Sequence, residues 1–116
     1  MAKELSKSKV NKKALDIVKD YLRNLEDKIK VKKVILFGSA ARGEMHRDSD
    51  IDLIIISPDF KKMEFMKRLI FLIRLRREMK KRAPMDIFGY TPEEFEKMSK
   101  ESVVLGEAKK EGVIVK

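Results

Sequence analysis

Hydrophobic positions along this chain fall into two spacings, and the change of spacing marks the elements. Val10, Ala14, Ile17, Val18, Tyr21, Leu22, Leu25 and Ile29 recur at three- and four-residue steps. That period predicts an amphipathic helix over residues 8–30, with Ser8 as its N-cap. The pattern then condenses into short apolar runs. Residues 31–37 predict a strand, Gly38 a turn, and Ser39 to Gly43 a short helix. The polar stretch from Glu44 to Ser49 reads as a loop. Residues 50–56 predict a second strand, with an apolar second half that suits a central position covered on both faces.

Ser57 and Pro58 have the residue types of an N-cap and first helical position, and predict a helix running to about Arg82. Met66, Leu69, Ile70 and Ile73 make its expected inward stripe. Phe71 and Leu75 then fall on the opposite side, where either another element covers them or, the favoured expectation, they meet a partner or a second copy. Pro84 opens a third strand, Met85 to Phe88. Thr91, Pro92 and Glu94 form a capping-box sequence before a helix to about Ser99. A further helix from Glu101 to Lys110 and a short strand from Val113 to Val115 complete the reading. Helices and strands alternate, so the expected class is α/β (α+β), with a small mixed sheet of about four strands packed by helices. Residues 1–116 are expected to form one domain.

Composition narrows the functions. Cysteine is absent and there is one histidine, which excludes disulfides and thiolate metal sites and leaves little scope for zinc. No apolar run reaches the length of a membrane span, and no apolar segment of a secretory leader follows the basic N-terminus, so a cytoplasmic location is the expectation. The richness in Lys and Glu resembles that of thermophile proteins. The net charge of +9 is concentrated. Residues 61–82 hold ten basic and two acidic side chains, a surplus of +8. Such a segment can attract nucleic acid or an acidic partner, or serve as a solvated helix face. With only Phe65 and Phe71 interleaved, recognition of nucleic acid by base stacking is weak.

Residues 37–53 carry the chemistry. Gly38 and Ser39 end an apolar run; ten residues later come Asp50 and Asp52 at the start of another. Residues i and i+2 of a strand share a face, about 7 Å apart, so both carboxylates can aim at one point. Their repulsion suggests a divalent cation between them. Asp86 sits inside an apolar strand, where an unpaired carboxylate is costly. If the second and third strands are neighbours, Asp50, Asp52 and Asp86 converge, a set suited to two-metal phosphoryl transfer. Asp86 would help hold a second ion or take a proton from an attacking hydroxyl. Gly38 lets the backbone approach a phosphate, the Ser39 hydroxyl can donate to one, and Arg42 can clamp two of its oxygens. Ser49 orients the loop before Asp50; His46 and Arg47 lie in that loop. No P-loop or dinucleotide fingerprint is present.

The pattern Gly-Ser, ten residues, Asp-x-Asp resembles the signature of the nucleotidyltransferase superfamily that includes DNA polymerase β and kanamycin nucleotidyltransferase. Gly38, Ser39, Asp50 and Asp52 match it position by position, and Arg42-Gly43 and Ser49-Asp50 match its accompanying pairs. The small size is similar to that of minimal nucleotidyltransferases. The resemblance implies the nucleotidyltransferase fold, a nucleotide site at Gly38, Ser39, Arg42 and Ser49, and Mg2+ (two ions) at Asp50, Asp52 and Asp86. It implies transfer of AMP from ATP to a hydroxyl. Many minimal members are similar to antitoxins that adenylylate a tyrosine of a HEPN-domain toxin. Such antitoxins often carry a second arginine, where this chain has Ala40 and Ala41. The alternatives are an inactive binding antitoxin and a nucleotide- or nucleic-acid-binding module. Once the catalytic core is counted, no residues are expected to be left over for a helical acceptor domain. The acceptor surface is therefore expected from a HEPN-type partner, a second copy or a macromolecular substrate, with Phe71, Leu75 and the basic helix as its candidates.

Overall fold

A mixed sheet with helices on both faces organises the chain. The computed structural model describes residues 3–4, 10–43, 50–79 and 83–116. Its strands are β1 (Lys3–Glu4), β2 (Lys33–Phe37), β3 (Ile51–Ile56), β4 (Met85–Tyr90) and β5 (Val113–Ile114). They lie in the order β1-β5-β2-β3-β4. β3 runs antiparallel to β2 and parallel to β4, so the sheet is mixed. The fold class and the central place of β3 agree with the hydrophobic pattern. The two-residue β1, parallel to β5, has no apolar run to announce it.

Alternation along the strands divides the core. Val34, Leu36, Ile51, Leu53, Ile55, Met85 and Ile87 face α1 (Lys12–Glu26) and α3 (Phe65–Arg77). Ile35, Ile54, Ile56 and Tyr90 face α4 (Pro92–Glu101) and α5 (Val103–Glu111). α1 buries Ala14, Val18, Tyr21, Leu22 and Leu25, the predicted stripe. Its first turn differs from expectation: Asn11 is the cap, its side chain accepting from the Ala14 N–H at 3.0 Å. Ser8 lies outside the described residues, as do Lys80, Lys81 and Arg82. The Tyr21 hydroxyl donates to the Leu72 carbonyl at 2.9 Å and ties α1 to α3.

The long helix expected from Ser57 is two elements. Ser57 does cap, but it caps a 3-10 helix over Pro58–Lys62, which drops the fully buried Phe60 into the core. Met63 is extended and ends that turn. α3 then begins at Phe65 with a new phase, and its inward face is the opposite of the predicted one. Leu72 and Leu75 are buried and Phe71 packs on the core, whereas Phe65, Met66 and Ile70 are exposed. Phe71 and Leu75 are therefore core residues, and they do not form the expected partner surface. Five consecutive apolar residues allow two stripes, and the break at Met63 decides between them.

Arg68, read from sequence as part of a basic surface, is also buried. Its guanidinium donates to the carbonyls of Met63 at 3.0 Å and Gly89 at 3.2 Å, and pairs with Glu94 at 2.7 Å. Glu94 belongs to the predicted capping box at Thr91, so this one pair joins α3, β4 and α4.

Candidate active site

The β2–β3–β4 register sets three residues in a row across one face: Phe37 opposite Asp52, and Asp52 opposite Asp86. Residues paired across strands project to the same side. That side is the one α4 and α5 cover. The two helices reach Ile54, Ile56 and Tyr90 but leave the Asp52 end open: Asp52 is half-buried, and Asp86 and Asp50 are exposed. The neighbouring strands required for Asp52 and Asp86 to meet are present, and Asp50 precedes Asp52 by two residues.

Gly38 sits under the Asp52 carboxylate. Its φ is +73° and its ψ −155°, a conformation open essentially to glycine alone. A Cβ added there would collide with Asp52 Oδ2. Two demands, backbone angle and carboxylate clearance, thus select the same residue. α2 (Ser39–Arg42) starts immediately beyond, and Gly43, at φ +73°, ends it. The strand–turn–helix segment brings Ser39 and Arg42 to the same end of the sheet as the aspartates.

Electrostatics confirm the proximity. Burial, then the negative charges of Asp86 and Asp50, push the Asp52 carboxyl up to about 6, against a lowering effect of Arg42. Asp86, Asp50 and Arg42 therefore all lie close enough to act on Asp52. Among the described residues, no group of three or more acidic or histidine side chains is gathered tightly enough to hold a metal ion by itself. Ser49, His46 and Arg47 lie outside the described residues.

The helical hairpin supplies neighbours that sequence reasoning missed. A recess of about 100 Å³ beside the Gly38 turn is lined by Phe37 and Arg42 on one side and Val104, Glu107 and Glu111 of α5 on the other. The available signal was Val103-Val104, two apolar residues directly after the Ser102 cap; they are 78% and 59% exposed. A much larger cleft, about 700 Å³, opens at the other end of the same sheet face, away from the aspartates.

Comparison with known proteins accords with this arrangement. The family model described as a nucleotidyltransferase domain matches residues 15–114. Among curated proteins, the chain is similar to several from Methanocaldococcus jannaschii that are provisionally named protein adenylyltransferases. One is 49% identical over 47 residues, covering 37% of this chain and 47% of the relative. Another is 38% identical over 50 residues, covering 40% and 58%. The chain spans about half the length of the curated relatives it matches. A solved structure from Sulfolobus solfataricus, provisionally titled a nucleotidyltransferase, has a TM-score of 0.59 at 23% identity and covers 73% of each chain. At that identity the likeness concerns the fold.

Proposed function

The chain belongs to the nucleotidyltransferase domain family, and from that premise we propose that it transfers AMP from ATP to a hydroxyl, a tyrosine of a HEPN-type toxin, and acts as the toxin's antitoxin. The observation that carries the reading is the register pair of Asp52 and Asp86 beside a glycine whose Cβ would strike the Asp52 carboxylate. Burial first, and then the charges of Asp86 and Asp50, raise the Asp52 carboxyl, and a bound cation would offset both. Asp50, Asp52 and Asp86 offer oxygen ligands only, which suits Mg2+. That ion is commonly held by one or two carboxylates plus substrate phosphates, which fits a trio too open to enclose it alone. When bound it neutralises charge on the triphosphate and polarises the α-phosphoryl group.

The chain's own groups have separate tasks. The Gly38 turn lets the triphosphate approach the backbone, with the Ser39 hydroxyl donating to a phosphate oxygen. Arg42 balances the negative charge on the Asp52 side. The acceptor oxygen attacks the α-phosphorus, the bond to the β-phosphate oxygen breaks, and pyrophosphate leaves. Asp86, exposed at the open end, accepts the hydroxyl proton. The exposed Phe65, Met66 and Ile70 of α3 replace Phe71 and Leu75 as the surface for the partner or a second copy.

The test incubates the chain with α-labelled ATP, Mg2+ and the product of the adjacent gene, and maps the label by mass spectrometry. Label on a tyrosine of that product, lost with Asp52→Asn, is expected. No transfer from any nucleoside triphosphate refutes the enzymatic reading. The exposed α3 face favours a second reading, neutralisation by contact alone. An Asp52→Asn chain that still silences the toxin, while Ile70→Glu does not, selects that one.

A further inference from the structure

The large cleft lies on the sheet face shared with the aspartates but at its other end. Ile56, in its wall, is four residues along β3 from Asp52, about 13 Å at strand rise. The cleft is therefore a separate opening from the Gly38 turn. Its volume is about 700 Å³, and Ile35, Ile56 and Phe95 supply apolar wall. Five lysines surround that wall: Lys32 just before β2, Lys33 at its start, Lys100 on α4, and Lys109 and Lys110 on α5. Glu96 is the one acidic residue in the lining.

We propose that this cleft is a docking groove for an acidic polypeptide segment of a partner protein, carrying apolar side chains between its carboxylates. Glu96 already shows how a carboxylate seats there. Lys109 Nζ donates to its Oε2 at 2.8 Å, and Lys109, then Lys100 and Lys33, hold its carboxyl below the usual range. Within the lining, one glutamate stands against five lysines. The lysines come from three elements around an open cleft, so a single small anion cannot meet them all, whereas a chain of carboxylates can. Nucleic acid would meet one aromatic side chain in the lining, Phe95, too few for a stacking platform. A second copy of this chain, at +9, matches a lysine-rimmed groove less well than an acidic segment does.

The experiment uses fluorescence anisotropy with a labelled peptide of alternating glutamate and leucine pairs. Saturable binding is expected, weakened about tenfold or more by Lys33→Glu with Lys100→Glu. Both lysines are exposed, and circular dichroism checks that the variant folds. Lys19→Glu on α1 and Asp52→Asn leave binding unchanged, which separates this groove from the nucleotide site. Methyl resonances of Ile35 and Ile56 shift on binding. The proposal fails if the peptide does not bind, if a glutamine-for-glutamate peptide binds equally well, if the double reversal has no effect, or if an RNA oligonucleotide displaces the peptide and shifts the same methyls.

Discussion

Asp52 is the residue on which the site's energetics turn. Its carboxyl titrates near 6 in the folded chain, against about 4 when unfolded. Between those values the folded state holds a proton that the unfolded state has released, so stability falls as pH rises through this window and levels off above it. Asp52→Asn removes that slope. Thermal midpoints in metal-free buffer should show wild type losing stability relative to the variant from pH 4 to 6, with the variant the more stable at neutrality. Gly38 lies against the same carboxylate. Gly38→Ala should cost about 1–3 kcal/mol from backbone conformation alone, read as a lower urea midpoint, and should displace Asp52 as well. Gly38, Ser39, Asp50 and Asp52 were legible in the sequence because short-range spacing between two apolar runs is local information. Phe37 and Val104 were not, since only the register of β2 and the approach of α5 bring them to the turn.

Elements were legible where one period dominates. α1, β3 and the Thr91 capping box formed where the pattern placed them, within a few residues. The segment after Ser57 was misread because its apolar residues run consecutively and Met63 resets the helical phase. No hydrophobicity pattern anticipates Arg68 inside, since its place depends on carbonyls and a carboxylate from three other segments. Arg68→Met should therefore destabilise the fold by about 2–4 kcal/mol in urea unfolding, through orphaned carbonyls of Met63 and Gly89 and an unpaired Glu94. A change below 0.5 kcal/mol, the range of ordinary surface substitutions, would show that the buried guanidinium contributes nothing.

At the scale of the molecule, one face of the sheet is divided by the α4–α5 hairpin. Its covered middle is core, one end is the open row of Asp52 and Asp86, and the other is the lysine-rimmed cleft. Among the described residues, no helix is long and apolar enough to cross a membrane. On the proposed reading, the open carboxylate end takes cation and triphosphate together, because neither completes it alone. The most direct test is the thermal midpoint of the chain with Mg2+, with ATP and with both. The account predicts a rise of several degrees only when both are present, since a ligand at about a hundred times its Kd adds about 2.7 kcal/mol. Asp52→Asn and Asp86→Asn should abolish that rise. An equal rise in either variant, or no rise with any nucleoside triphosphate, would contradict it.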